Sequence, residues 1–499
     1  MRNRWQYLRP ICGYLGVLIV VFGLLMLVPL VVRWAFVQGG ADEVPAYTFW
    51  LPAVAAVAFG TVLKGNLKFP PLDTRRAMVL CALGWIVVSA VGAVPFSVGL
   101  GLGYLDAYFE TVSGFTTTGI TMLSGLDDLP ASILFWRAFT QWLGGLGILT
   151  FFLTIIFTGG SAHHLYTAES HKVFSQRPAP GLLNTLRILW TIYTVFTVLI
   201  AAALVLEGLG LFDAVTHAMT TLSTGGYSPH DASVGYFRQA GYAHFTLIEY
   251  TLIIGMLLGG INFLVHYRVL TGGVRALWDT TEMRLWWVLL VGATVLVMVE
   301  RLLDPASDVG TIADLHEVVR TSLFQVVAVA TTTGFGTKDI GSAYFGAAAR
   351  QVFLVLMIVG GCVGSTSGGF KVLRIAVLFK MLGRQLRRLV YGPAAVHPLV
   401  LDNETIDTEE LRRIAALFFA WVVLLAAGAV VTALLSNHGA VASASGMFSA
   451  LGNIGPCYIS VPEMNALHPL IKIVYIFGML AGRLEILPLL LLFSRRTWR

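Results

Sequence analysis

Apolar residues run along this chain in blocks of about 20, the length that crosses a bilayer core of about 30 Å, separated by short polar stretches. Ten blocks stand at residues 11–36, 47–63, 77–96, 133–157, 182–206, 245–267, 285–302, 352–379, 414–435 and 470–493. Each predicts a membrane-crossing helix. Arg2, Arg4 and Arg9 precede the first block, but it is far longer than the apolar region of a cleavable signal, so it is expected to remain as a helix. After the third, fifth, seventh and ninth blocks comes a shorter apolar stretch that ends in Ser, Thr or Asn followed by Gly. These stretches read YFETVSGFTTTGITML (108–123), FDAVTHAMTTLSTGGYS (212–228), HEVVRTSLFQVVAVATTTGFGT (316–337) and ASGMFSALGNIGPCY (444–458). Aligned on Gly119, Gly225, Gly334 and Gly455, they recur at separations of 106, 109 and 121 residues. A repeat on this scale decides an architecture before any single motif does. The unit is helix, half-helix, glycine loop, helix, here called M1-P-M2. The domains expected are a helix pair over 1–70 and repeats over 71–170, 171–275, 276–395 and 396–499.

Composition fixes the solvent. Of 499 residues, 57% are hydrophobic and 12% charged, about half the charge density of a soluble protein. That leaves too few polar groups to cover soluble domains, so the chain is predicted to be an all-α polytopic membrane protein with about ten transmembrane helices and four re-entrant pore loops. The net charge of +6 does not point to nucleic acid, because the basic residues lie in short stretches between blocks and read as topology signals. Lys64, Lys68, Arg75 and Arg76 follow the second block, Lys172 and Arg177 the fourth, and Arg268, Arg275 and Arg284 the sixth. Lys380, Arg384, Arg387 and Arg388 follow the eighth, and Arg495, Arg496 and Arg499 the tenth. All fall on the side of the basic amino terminus, which predicts that both termini are cytoplasmic. The opposite loops carry Asp42, Glu43, Asp106, Asp127, Asp128 and Asp231. Cys12, Cys81, Cys362 and Cys457 are scattered without CxxC spacing, which gives no disulfide framework or zinc site. His163, His164 and His171 cluster without spaced carboxylate or thiolate partners and predict no metal site.

The four glycine loops carry the candidate chemistry. Backbone unpaired at membrane depth is tolerated where it is buried in protein or lines a watery cavity, and four such segments on one side can meet at an axis. Rings of carbonyl and threonine oxygens replace the hydration shell of a bare cation, as in the TVGYG filter of potassium channels. The candidate staves are Thr117-Thr118-Gly119, Ser223-Thr224-Gly225, Thr332-Thr333-Gly334 and Asn453-Ile454-Gly455. The half-helices before them would turn their carboxyl ends, each with about half a negative charge, toward the site and favour cations. A single Thr-Thr-Gly could equally be a helix C-cap; four copies in register are not explained by capping. Glu110 and Glu249 are read as holding filter loops or helix ends rather than as ion ligands.

The eighth block is interrupted by VGGCVGSTSGGFK at 359–371. Each glycine costs about 1 kcal/mol in a helix interior, so a break is expected there, at Gly360, Gly361, Gly364, Ser365, Thr366, Ser367, Gly368 and Gly369. A glycine-rich helix packed closely on a neighbour is the alternative. GSTSGGFK departs from the phosphate-binding GxxxxGK, since Phe370 separates glycine from Lys371 and no Ser or Thr follows. Arg483 stands about 20 Å into the last block, where a charge costs at least about 2.5 kcal/mol and marks a functional site; the alternative is an ion pair with a carboxylate such as Glu485. Lys371 and Arg374 are read as facing a cytoplasmic vestibule.

These motifs resemble the TrkH family of bacterial Trk potassium uptake systems, within the Trk/Ktr/HKT superfamily. The resemblance covers nearly the whole chain, including the extra amino-terminal helix pair. It rests on FETVSGFTTTGIT, QWLGGLGIL (141–149), HAMTTLSTGGYSPHDAS, ATTTGFGT, GSTSGGFKVLR (364–374), GNIGP and GRLEILPLLLLF (482–493). It implies potassium uptake across the bacterial inner membrane through the four-loop filter. It also implies a gate made by the intramembrane loop with Lys371, and by Arg483 projecting toward the pore. No cofactor is expected on this chain: potassium is the substrate. A homodimer is implied, docked on a TrkA-type cytosolic ring that binds NAD or adenine nucleotide. Glycine at all four filter positions resembles the potassium-selective members, whereas serine at the first is associated with sodium-conducting relatives. Ile120 and Cys457 depart in side chain and leave sodium or rubidium leak open.

Two other classes fit less well. A membrane protease would need HExxH or paired intramembrane aspartates, but His316-Glu317 is followed by Val-Val-Arg. A secondary transporter with inverted repeats predicts repeats of opposite orientation, whereas all four loops fall on the outer side. A sodium or mixed-cation member of the same superfamily remains the alternative within the reading.

Overall fold

The computed structural model describes residues 2–38, 43–65, 72–147, 150, 182–305, 310–391, 398–402, 404–495 and 497–498. The histidine cluster and several topology markers (Lys68, Lys172, Arg177, Arg496, Arg499, Asp42) lie outside the described residues. Apart from a two-stranded pairing of Val400–Leu401 with Glu404–Thr405, the described secondary structure is helical.

Among the described residues, six helical spans are long and apolar enough to cross a membrane. Two belong to the amino-terminal pair, Leu8–Phe36 and Tyr47–Lys64. They lie close because Gly16 and Gly60 face each other: a β-carbon on either would come under 3.0 Å from the other's carbonyl oxygen, the small-residue contact that lets membrane helices approach. The other four are the M1 helices of the repeats: Thr74–Leu100, Leu183–Leu206, Thr281–Leu303 and Thr408–Leu435. Their starts are set by local chemistry. Asp73 accepts from the Arg76 amide, and Thr280 accepts from that of Met283, each satisfying a donor that the first turn leaves orphaned.

The P helices follow at Tyr104–Phe115, Leu211–Leu222, Ile312–Ala330 and Ala440–Gly452. Three have 12 or 13 residues, too short to span. The third starts further out and is buried only from Val318 onward. Burial of their carboxyl halves places the loops that follow them inside the protein.

M2 differs from the unbroken spans that hydropathy predicts. M2 of repeat 1 runs Ala131–Gly145. That of repeat 2 bends by 100° between Phe245–Gly260 and Phe263–Gly272. That of repeat 3 is split into Ala347–Val359 and Val372–Tyr391 by the loop at 360–371. That of repeat 4 ends at Leu484 and restarts as Leu487–Phe493, with Glu485 and Ile486 at positive φ between the pieces. The described M2 helices end or break within two residues of an equivalent pair, Gly144-Gly145, Gly259-Gly260, Gly360-Gly361 or Gly482-Arg483, whose members are small except for Arg483. At Gly144, Gly259 and Gly482 a β-carbon would collide with the carbonyl oxygen that ends the same repeat's P helix, that of Phe115, Leu222 or Leu451. The buried core has two lobes, one made by the amino-terminal pair with repeats 1 and 4, the other mainly by repeats 2 and 3.

Candidate functional site: a ring of four loops and the cap beneath it

Each P helix ends in the same backbone turn. The amides of Thr118, Gly225, Thr333 and Ile454 donate to the carbonyls five residues back, Ser113, Thr220, Ala328 and Ser449, at 2.9, 2.9, 2.9 and 3.0 Å. The preceding residues, Thr117, Thr224, Thr332 and Asn453, all take left-handed φ, at 53, 54, 59 and 55°. The glycines that close the turn, Gly119, Gly226, Gly334 and Gly455, lie at φ of 84, 72, 79 and 104°. Four side-chain-bearing residues in a region that L-residues rarely occupy, each costing of order 1–3 kcal/mol, mark a site where geometry outranks stability.

This corrects one register. The sequence alignment pairs Gly225 with the other three glycines; the structure pairs Gly226, and the second stave is Thr224-Gly225-Gly226. Ser223 instead caps the P helix, in the position of Thr116 and Thr331. Gly226 was hidden because two consecutive glycines fit the motif equally well.

The staves close into a ring. A β-carbon on Gly119 would lie under 3.0 Å from the Gly225 carbonyl oxygen, one on Gly226 from that of Thr333, one on Gly334 from that of Ile454, and one on Gly455 from that of Thr118. Each repeat touches the next, and the fourth returns to the first. Only glycine allows this approach.

Side chains brace the ring from behind. Gln141, on M2 of repeat 1, donates to the Gly225 carbonyl at 2.7 Å and accepts from the Tyr227 amide at 3.0 Å. Asn453 donates to Thr118 Oγ1 at 2.8 Å, joining loops 4 and 1. Glu110 accepts from the Met122 amide at 2.7 Å and so holds the first loop. Glu249 pairs with Arg320 at 2.6 Å, away from the loops. Gln141 opens the QWLGGLGIL motif, but nothing in the sequence assigned a role to its side chain.

A cap closes on the ring from below. Thr366 Oγ1 donates to the Leu222 and Gly259 carbonyls at 2.9 and 3.0 Å and accepts from Thr224 at 3.3 Å. Ser367 donates to the Thr331 carbonyl at 2.7 Å, and the Gly368 amide to Thr332 Oγ1 at 2.7 Å. Arg483 donates to Thr117 Oγ1 at 3.3 Å, to the Thr366 carbonyl at 2.6 Å and to the carbonyls of Gly144 and Gly145. The lowest residue of three staves (Thr117, Thr224 and Thr332) is thus hydrogen-bonded by the intramembrane loop or by Arg483. On the fourth, a β-carbon at Gly368 would strike Asn453.

The loop is held in place by the bend in M2 of repeat 2. The Cys362 and Thr366 amides donate to the carbonyls of Gly260 and Gly259, and the Phe263 amide donates to Gly364, at 3.0–3.2 Å. Ser365 donates to the Cys362 carbonyl, Gly361 accepts from the Val372 amide, and Gly360 and Gly369 press backbone to backbone where the loop begins and ends. Glu282, buried at the start of M1 of repeat 3, accepts from the Val363 amide at 2.7 Å. Lys371 is half-buried; its ammonium donates back to the Ser367 carbonyl, and the residue lines the cavity beneath. Arg374 is buried and bonded to Glu485 at 2.5 Å, so Glu485 is engaged by Arg374 while the guanidinium of Arg483 serves filter and loop. A cavity of about 160 Å³ lies beneath, lined by Trp85, Asn262, Ser365, Lys371, Arg483 and neighbours.

At the outer mouth, polar contacts tie the loops together. His230 bonds Asp127 at 2.5 Å and approaches Asp213 at 3.4 Å. Burial lowers its pKa, but the bonds to Asp213 and Asp127 outweigh this and leave it raised. Glu317 receives Arg238 and Lys338. The Arg238 hydrogen bond holds its carboxyl down at about 2.

This arrangement brings backbone and hydroxyl oxygens of four loops to one place. A family model described as TrkH, cation transport protein, matches residues 49–498. The potassium uptake protein TrkH of Salmonella typhimurium is 34% identical over 99% of this chain and all of its own length. That of Halomonas elongata is 33% identical over 99% of both. An uncharacterized cation transporter of Methanocaldococcus jannaschii is 32% identical over 96% of this chain and 94% of its own. The crystal structure of the potassium transporter TrkH from Vibrio parahaemolyticus superposes with a TM-score of 0.83 at 29% identity, over 98% of this chain and 99% of that one. With the ring, its four repeats and these relatives in agreement, the chain belongs to the TrkH family of cation transport proteins.

Proposed function

We propose that this chain carries potassium into the cell through the ring of four loops, and that the loop at 360–371 together with Arg483 gates it from below. The observation that carries the reading is the closed contact of Gly119, Gly226, Gly334 and Gly455 with the next repeat's carbonyls, which brings four sets of backbone and threonine oxygens to one place. P-helix carboxyl ends add partial negative charge there. Relatives along the whole chain bear the name Trk system potassium uptake protein, which supports potassium as the cargo. The membrane potential supplies the drive, about 2.3 kcal/mol per charge per 100 mV.

The basic residues, among them Lys380, Arg384, Arg387 and Arg388 in the second helix of M2 of repeat 3, support an inner-membrane location with both termini inside. Regulation is assigned to partners: a second copy of the chain and a TrkA-type ring whose NAD or adenine nucleotide would move the gate.

Two measurements test this. A strain lacking other potassium uptake should grow on limiting potassium when it expresses the chain, and purified protein in liposomes should take up potassium against excess sodium. Equal sodium and potassium flux would turn the reading to the mixed-cation alternative. For the gate, Arg483→Ala should raise flux about tenfold, as removal of about 1.4 kcal/mol of barrier does; unchanged flux in a folded variant refutes the role.

A further inference from the structure

One guanidinium holds two of the four loops at once. Arg137, on the outer half of M2 of repeat 1, is 2% exposed, and Glu110, on P of repeat 1, is 0% exposed. Arg137 Nε donates to Glu110 at 2.8 Å, Nη2 to Thr121 Oγ1 at 3.2 Å, and Nη1 to the Ser228 carbonyl at 3.0 Å. Thr121 stands two residues beyond Gly119, and Ser228 two beyond Gly226. Both loops are therefore anchored at the same step past their closing glycine. The cluster is closed by Glu110, which accepts from Thr121 and Met122, and by Tyr227, whose hydroxyl donates to the Glu110 and Ile120 carbonyls while its ring lies 4.0 Å from the guanidinium.

A buried ion pair is weak evidence for stability, because desolvation offsets most of its Coulomb energy. What the planar five-donor fork of arginine provides is fixed direction toward several acceptors at once. Direction matters here on the size account of selectivity, in which a ring of oxygens prefers the larger ion while it resists contracting around the smaller one. We propose that Arg137 is a specificity-determining positioning residue: through Glu110, Thr121 and Ser228 it fixes loops 1 and 2 at the spacing that favours potassium over sodium. The proposal rests on the potassium reading above.

The molecule supplies its own control. Arg320 and Glu249 form a second pair, 4% and 3% exposed and bonded at 2.6 Å. The other described bonds of Arg320 go to Thr246 and His316, outside the filter loops.

The test uses the full chain in liposomes, with potassium and sodium uptake and the melting temperature measured for wild type, Arg137→Lys, Arg320→Lys and Thr121→Val. The lysine at 137 keeps the charge and loses the fork, so the potassium-to-sodium ratio should fall about tenfold, equivalent to about 1.4 kcal/mol of differential binding. Thr121→Val, which leaves the ion pair in place, should lower the ratio less, and it carries the test if Arg137→Lys does not fold. Arg320→Lys should lower the melting temperature with the ratio unchanged. An unaltered ratio in the Arg137 or Thr121 variant, or an equal fall in the Arg320 variant, overturns the proposal. A wild-type chain that passes sodium as readily as potassium defeats the potassium reading and the proposal with it; a selective wild type with unaltered variants defeats the proposal alone.

Discussion

Four left-handed residues, Thr117, Thr224, Thr332 and Asn453, and the four glycines that follow them concentrate backbone strain in the ring. Gly226 decides the register of the second stave. An alanine there would take a disfavoured φ of 72° and drive its methyl into the Thr333 carbonyl. Gly226→Ala should therefore abolish uptake, whereas Ser223→Ala, at the end of a P helix, should leave more than about half of it, a loss smaller than the shift of about 0.6 kcal/mol that RT represents; radioactive rubidium uptake compares the two. Motif matching singled out the other eleven residues of the ring but could not choose between the glycines of STGGYS, because register is decided by a hydrogen bond from the central amide to a carbonyl five residues back. The partners of Arg137 and Gln141 were likewise invisible: polar residues in an apolar block announce burial, not the partner. At the outer mouth the residue that responds to pH is His230, which faces Asp127, Asp213, His217 and Tyr236. Its raised pKa means that its stabilising contribution is complete below the usual value of about 6.5 and is lost as pH rises through the raised folded value. Melting temperature should fall across that window in wild type and lose this component in His230→Ala.

Among elements, M1 helices run unbroken while M2 helices are interrupted. Hydropathy registers the apolar length of an M2 block but not its interruption, since a glycine pair hardly changes the average. Only the glycine-rich run of repeat 3 was long enough to announce a break; the bend after Gly260 and the restart after Ile486 were not legible. The intramembrane loop supplies the partners that the bend in repeat 2 lacks, with Glu282 fastening its near end through the Val363 amide. Glu282→Ala would leave that amide unpaired at a cost of about 1–3 kcal/mol and should raise basal ion leak several-fold in liposomes. Leak no higher than wild type would show that the loop is held by its contacts with Gly259, Gly260 and the filter alone.

At the scale of the whole molecule, the amino-terminal pair is a buttress rather than part of the pathway. It reaches the filter through Phe22, whose ring lies 5.3 Å from that of Phe115, the last residue of the first P helix, and 5.8 Å from that of Trp136. Gly60→Leu would part the pair at its closest point, and overpacking of this kind costs about 1–3 kcal/mol. It should lower the melting temperature while the potassium-to-sodium ratio in liposomes stays at the wild-type value.

Gly145, Gly260 and Gly361 take the second place in three of the small-residue pairs, and Arg483 takes it in the fourth. A pore assembled from four identical subunits has no such freedom, because any side chain placed at the inner face appears four times. Four guanidiniums there would crowd the axis, and like charges about 4 Å apart repel by about 4 kcal/mol at an effective dielectric of about 20. Fusing the quarters into one polypeptide makes odd stoichiometry available: a single positive charge, offset to one side, that can be displaced without dismantling the other three walls.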